Sequence, residues 1–239
     1  MMWGDLRLKH LNFSKVFLLT LAMTFVASVA ISDGDLQYGS KVDRSDLDEA
    51  SALSPFYMGP EFAFWDVGIR GIFDPEDPVY INIVPSDNEV SENDVRLTPF
   101  GDFPAGSQVN KADNDIGKTL TKFGSGTIPL AEPRYLDVNG DKAYSLEDPV
   151  YLDINPGKVS SNDVRISNYK GLPAGARVTE SDSDNDLPTT TLPVMLSFFN
   201  TNGNINNGGF AIYDEGDMVY MDTQYPFYVV TINDVRMSF

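Results

Sequence analysis

Twelve consecutive residues, Asp137 to Asp148, place oxygen-bearing side chains at positions 1, 3, 5, 9 and 12: Asp137, Asn139, Asp141, Ser145 and Asp148. This spacing is the ladder of a calcium loop. Ca2+ is a hard cation that takes six to eight oxygen ligands, and the Ala143 carbonyl at position 7 extends the set, with Ser145 acting through water. Position 6 is Lys142, where such loops ordinarily carry glycine, so a positive φ there would cost about 1 kcal/mol or more. An unmetallated Asx turn is the other reading of the same residues.

A second ladder, Asp182-Ser183-Asp184-Asn185-Asp186, is matched by Asp113-Asn114-Asp115. Carboxylates this close repel one another unless a cation neutralises them, which makes Asp182, Asp184, Asp186, Asp113 and Asp115 further metal candidates. A solvated acidic turn is the alternative. The chain has no cysteine and one histidine, His10, so thiolate chemistry, disulfides and the usual zinc sites are excluded.

The N-terminal segment sets Arg7, Lys9 and Lys15 before an apolar run from Val16 to Val26 and the small residues Ala27-Ser28-Val29-Ala30. It reads as a secretory signal peptide over residues 1–30; a membrane anchor would need about 20 apolar residues. Removing it takes three of 17 basic and one of 35 acidic residues, leaving 14 against 34 and a net charge of −20. Such a surface disfavours nucleic acid and anionic lipid. The expected location is extracellular or at the cell surface, with no stable membrane span once the signal is gone.

The elements that must position these loops repeat along the chain. Asp77-Pro78-Val79-Tyr80-Ile81-Asn82, Asp148-Pro149-Val150-Tyr151-Leu152-Asp153 and Asp217-Met218-Val219-Tyr220-Met221-Asp222 align. Each is followed by an Asn-Asp-Val-Arg block, at Asn93–Arg96, Asn162–Arg165 and Asn233–Arg236, with a period of about 70 residues. Alternating apolar residues rich in Val, Ile, Tyr and Phe, punctuated by Gly and Pro, predict a mainly β protein of repeated antiparallel units, sandwich-like, with calcium-type Asp/Asn loops. Single helical turns at Asp77-Pro78 and Asp148-Pro149 are a further expectation.

The predicted organisation is a signal peptide (1–30), a flexible or extended arm (31–60), β repeats over 61–132 and 133–197, and a truncated third repeat over 198–239. In the first repeat the loop positions are Asp66, Gly68, Arg70, Asp74 and Asp77, and Arg70 is expected to stand between Asp66 and Asp77 in place of a metal. The third loop, with Asn200, Asn202 and Asn204, is expected to be a weak site. The recurring aromatics read as core, and each block arginine as the partner of a neighbouring carboxylate.

The Asp137 loop resembles the calcium loop of dockerin modules, which also carry Asp at position 12, although Pro149-Val150-Tyr151-Leu152 does not suit the helix that follows it there. The Asn-Asp-Val-Arg and Pro-Ala-Gly blocks, the latter at Pro104–Gly106 and Pro173–Gly175, resemble repeats in secreted surface proteins of methanogenic archaea and their relatives. That resemblance implies a calcium-stabilised structural protein of an envelope, sheath or filament, forming a homo-oligomer or polymer. The competing expectations are a calcium-dependent adhesion module for a cell-surface glycan or protein, resting on the aromatics, and a carboxylate hydrolase, which needs two acids converging in a cleft.

Overall fold

The structure, a computed structural model, describes residues 37–224 and 227–239; the signal-peptide reading of residues 1–30 lies outside them. The aligned segments Val79–Asn82 (β3), Val150–Ile154 (β7) and Met218–Asp222 (β11) are central strands. Each pairs antiparallel with the strand before it: Glu61–Phe64 (β2), Ala131–Tyr135 (β6) and Met195–Phe199 (β10). On its other side each pairs with the Val-Arg of its block: Val95–Arg96 (β4), Val164–Arg165 (β8) and Val235–Arg236 (β12). A two-residue strand completes each sheet: Thr121–Lys122 (β5), Thr190–Thr191 (β9) and Ser54–Pro55 (β1). The result is three four-stranded antiparallel sheets, ordered β4-β3-β2-β5, β8-β7-β6-β9 and β12-β11-β10-β1.

Period-two alternation explains why both faces of the central strands are buried. Val79 and Ile81, Val150 and Leu152, and Val219 and Met221 point into one core shared by all three sheets. The intervening Tyr80, Tyr151 and Tyr220 point outward into a smaller cluster on each sheet's far face. That face is roofed by a strap of chain that enters beside the arginine strand, crosses over the tyrosine, and leaves as the two-residue strand at the opposite edge. The entry bridges are Val95 with Gln108, Val164 with Arg177, and Val235 with Lys41. The arginine-strand edge of each sheet is thereby bridged by its strap, and the opposite edge is a strand of only two residues, which limits the edge on which another chain could add.

The strap of the third sheet corrects the expected arm. Residues 37–55 are not free: Gly39 N donates to Arg236 O at 2.8 Å, Val42 N to Asp234 O at 2.9 Å, and Ala50 N to Val230 O at 2.8 Å. Val42 and Leu53 are buried against Tyr220 and Val230. The segment completes the sheet that the third repeat lacks, because its glycine, valine and two aspartates meet the same backbone and arginine positions as the other straps. No helix occurs among the described residues, and Asp77-Pro78 and Asp148-Pro149 lead directly into β3 and β7.

At one end the three straps interlock. Gly39, Gly106 and Gly175 have φ of 76°, 82° and 79°. A Cβ on Gly39 would lie 2.1 Å from Ala174 Cβ, one on Gly106 2.4 Å from Tyr38 Cβ, and one on Gly175 2.3 Å from Ala105 Cβ. Each glycine admits the residue that precedes the corresponding glycine of another strap, so positive φ and close approach both require glycine here.

Candidate calcium loop and buried acid pairs

The Asp137 loop joins β6 to β7. Asp148, fully buried at its base, accepts Val138 N through Oδ1 (2.8 Å) and Ser145 N and Oγ through Oδ2 (2.9 and 2.8 Å). Asp137 accepts Gly140 N (2.7 Å) and Lys142 N (2.8 Å), which wraps the chain around its carboxylate. Asn139 Oδ1 accepts Asp141 N, and Asp141 Oδ1 accepts Ala143 N. Lys142 takes φ 64°, the left-handed conformation for which calcium loops use glycine.

Asn139, Asp141 and Ala143 are exposed, and each oxygen that accepts one N–H retains a second lone pair. The cation expected of this loop would have to draw on Asp137, Asn139, Asp141 and the Ala143 carbonyl at its outer half, where the Asn139 amide donates to Asp141 Oδ2 (3.1 Å). Asp148 and Ser145 already serve the loop's base. Among the described residues no three acidic, histidine or cysteine side chains converge as a metal-holding group. Neutral oxygens would have to supply much of the coordination, which places such a site at the weak end of the calcium range.

The other two loops share the base. Asp77 accepts Val67 N (2.9 Å) and Asp74 N (2.8 Å), and Asp217 accepts Thr201 N (2.8 Å) and Asp214 N (3.1 Å). Arg70 does not stand between Asp66 and Asp77. Its guanidinium, about half exposed, binds Asp74 (2.9 Å) and Glu76 (2.8 Å) on the loop's outside, while Asp77 is occupied by its two N–H donors. In the third loop the Asn202 and Asn204 amides donate to Asp214.

The second acidic ladder is neutralised from within. Arg96, with no exposed side-chain surface, binds Asp115 through Nε and Nη2 (both 2.8 Å) and Asp113 through Nη2 (2.7 Å). Arg165 holds Asp184 (2.8 and 2.7 Å) and Asp182 (2.7 Å). Arg236 holds Asp48 (2.9 and 2.6 Å) and Asp46 (2.8 Å). Tyr80, Tyr151 and Tyr220 each donate a hydroxyl hydrogen bond to the inner aspartate, and burial raises all three hydroxyls far above the ordinary tyrosine range. Burial works against the charge on Arg96, but hydrogen bonds to Asp115 and Asp113 outweigh it and hold the guanidinium protonated.

Asp113, Asp115, Asp182 and Asp184 are thus the partners of guanidinium groups, which takes the place of the metal expected there. A bidentate fork satisfies paired carboxylates that a buried location would otherwise forbid. Asp186 is exposed and pairs with Lys158. Asp46 and Asp48, in the segment expected to be an arm, are the acid pair missed from the sequence. The signal for them is the shared Gly-x-x-Val-x-x-x-Asp-x-Asp pattern at Gly39, Gly106 and Gly175.

The straps also tie each loop to a neighbouring sheet. Lys41 Nζ donates to Ser145 O (2.8 Å) and to Asp148 O, under the Tyr144 ring. Gln108 Nε2 donates to Asp217 O (2.9 Å), and Arg177 to Asp77 O. Tyr144 donates its hydroxyl to Asn233 O (2.9 Å). The Asp137 loop is therefore gripped by the strap and the block of the third sheet.

Apolar hollows open on the surface. One of about 330 Å³ is lined by Phe56, Tyr57, Met58, Val84, Phe198 and Ile212; one of about 650 Å³ lies where the straps interlock, lined by Tyr38, Pro104, Ala105, Pro173, Ala174 and Phe239. Among the described residues no helix is long and apolar enough to cross a membrane. No known family profile, no characterised protein and no solved structure matches the chain.

Proposed function

We propose that the chain is an extracellular, calcium-stabilised structural protein of a cell envelope, sheath or filament, built from three repeats and assembling with copies of itself. The observation that carries this reading is the Asp137 loop: an exposed oxygen ladder whose base is gripped by Lys41 and whose Tyr144 reaches Asn233. A cation there stiffens a loop that lies between two sheets, so occupancy strengthens the whole molecule. Asp137, Asn139, Asp141 and the Ala143 carbonyl would hold it.

Thermal melting of the full chain in chelator and in Ca2+ tests the reading. With affinity on the order of 10⁻⁴ M, calcium at about 100 times that level stabilises the fold by ~2.7 kcal/mol. Asp141→Ala is expected to leave the melt in chelator within about 0.5 kcal/mol of the parent and to remove the calcium shift. Asp148→Ala is expected to destabilise in chelator as well, by about 1–3 kcal/mol, because two N–H groups lose a buried acceptor. A calcium shift that survives Asp141→Ala removes this loop as the principal site.

A second reading, an adhesion module, is favoured by one surface. Tyr57 is 94% exposed and neighbours Met58 and Ile212 around the smaller hollow, with Ile205 and Phe210 exposed on the same third-loop insertion. Apolar area of this kind marks binding surfaces. Loss of binding to an isolated envelope fraction on Tyr57→Ser with Phe210→Ser, at unchanged melting temperature, would favour it.

A further inference from the structure

The third sheet takes its strap from a distance. In the first two sheets the acids follow their arginine by 17 and 19 residues: Asp113 and Asp115 after Arg96, Asp182 and Asp184 after Arg165. Arg236 instead binds Asp46 and Asp48, 190 and 188 residues earlier in the chain. The strap is joined to the rest of the molecule only by residues 56–60, ahead of β2. Midway along that linker Tyr57 is 94% exposed, Met58 is 46% exposed, and a Cβ on Gly59 would meet nothing within 4 Å.

We propose that the seat on the third sheet is a contact between copies, with residues 37–55 of one molecule completing the sheet of another. This deepens the self-assembly proposed above and rests on it. A strap seated in a second copy makes the same contacts that it makes in its own: Asp46 and Asp48 on Arg236, Val42 and Leu53 on Tyr220 and Val230, Lys41 on the Asp137 loop. Phe56 packs on Phe198 and Tyr213 of the third sheet and travels with the strap, so closed and exchanged forms differ in the path of the exposed residues 57–59 and in the concentration that the tether provides, on the order of mM for a short flexible link. An empty seat takes Asp46 and Asp48 away from the buried Arg236 guanidinium and the strap N–H donors away from the carbonyls of Val230, Asp234 and Arg236, so an opened molecule is driven to take a strap from whichever copy offers one. The net charge of −18 keeps dilute copies apart, which confines exchange to crowded settings such as a surface layer.

Two full-length variants test the exchange by complementation. Arg236→Ala spoils the seat and keeps the strap; Asp46→Ala with Asp48→Ala spoils the strap and keeps the seat. Mixed in equal amounts they are expected to give a 1:1 heterodimer by native mass spectrometry that neither gives alone. If no heterodimer forms up to about 1 mM, the proposal is overturned.

A second measurement serves if either variant does not fold. The chain has no cysteine, and Ala52 and Val229 face one another across the strap bridge. Their antiparallel, non-hydrogen-bonded pairing brings Cα atoms to about 4.5 Å, within disulfide range. Ala52→Cys with Val229→Cys, opened at its denaturant midpoint, refolded and oxidised, is expected to give covalent multimers that rise at least about tenfold between ~10 μM and ~1 mM. Intramolecular cross-links alone at every concentration overturn the exchange. If copies polymerise without such cross-links, assembly stands and exchange falls; if neither appears, both fall.

Discussion

Arg96 and Arg165 do the work that the acidic ladders suggested for metal ions, and Arg236 does the same for Asp46 and Asp48: each holds a tyrosine-bonded inner aspartate in a buried site that a bare carboxylate could not occupy, with a second aspartate beside it. Removing one side of such a group leaves the other charged and dry. Arg165→Ala is expected to cost about 3–5 kcal/mol in urea unfolding, and adding Asp184→Asn to that variant should recover part of the loss. A second carboxylate set sets the pH response. Burial pushes Asp94 and Asp163 up to about 7 and Asp234 up to about 6, although each accepts two backbone N–H groups that pull it down. A carboxyl with its folded pKa above its unfolded value near 4 adds stability as pH falls from 7 toward 4, and loses it as pH rises through the folded pKa. Asp113 and Asp182, held below the ordinary range by hydrogen bonds that include their arginines, act oppositely, and their contribution disappears only in stronger acid. The melting temperature is therefore expected to be higher at pH 5 than at pH 6.5 and to fall again below about pH 3. The window avoids Lys41, which burial pulls down to about 7. A steady decline from pH 6.5 to 5 would contradict the assignment.

At the scale of elements, a loop's conformation and its ligand content are separable. The loop from Asp66 to Asp77 lacks oxygen side chains at positions 68 and 70, yet repeats the turn of the Asp137 loop: Ile69 and Gly71 take positive φ as Gly140 and Lys142 do, and Asp66 accepts Arg70 N and Gly71 N. The protein's own N–H groups hold the shape in both loops, and the proposed cation would only add to it. The straps are held differently, by close approach. Gly175→Ala forces a Cβ to within 2.3 Å of Ala105 Cβ at φ 79°, whereas Gly140 has a similar φ of 77° and nothing within 4 Å. Gly140→Ala is expected to cost about 1 kcal/mol, the backbone term alone, and Gly175→Ala at least about 2 kcal/mol more from overpacking. Equal losses in paired denaturant melts would show that the interlocked end is less tightly packed than its geometry implies.

Across the whole molecule, three sheets share one core and three straps share one pattern, with the third strap drawn from the other end of the chain. Gln37 and Phe239 line the same hollow, so these two points of the chain lie close together. A circular permutant that joins residue 239 to residue 37 by a short linker and opens the chain at Gly59 would give all three sheets the same local connectivity. It is expected to melt within about 4 °C of the parent, equivalent to roughly 1 kcal/mol for a chain of this size, by differential scanning calorimetry. A much larger loss would mean that continuity of the chain through residues 57–59 carries more of the stability than their exposure suggests.

The sequence by itself determined the mainly β character, the central strands and the existence of the acidic loops. Those signals are local: period-two alternation, Gly and Pro punctuation, and oxygen side chains at set spacings in consecutive residues. Phe64, Tyr151 and Phe198 were legible as core for the same reason. What only the tertiary structure decided was the partner of each charge and the place of residues 37–55. Arg96 and Asp115 stand 19 residues apart and Arg236 and Asp48 stand 188 apart, yet the two pairs have one geometry, because closure of the sheets, not distance along the chain, brings a guanidinium beneath its acids. The strap at Gly39 escaped the repeat pattern for a physical reason as well. It carries Gln37-Tyr38 where the other straps have Pro-Ala, and it retains only the residues that the fold demands: a glycine for the interlock, a valine for the outer cluster, and two aspartates for the arginine.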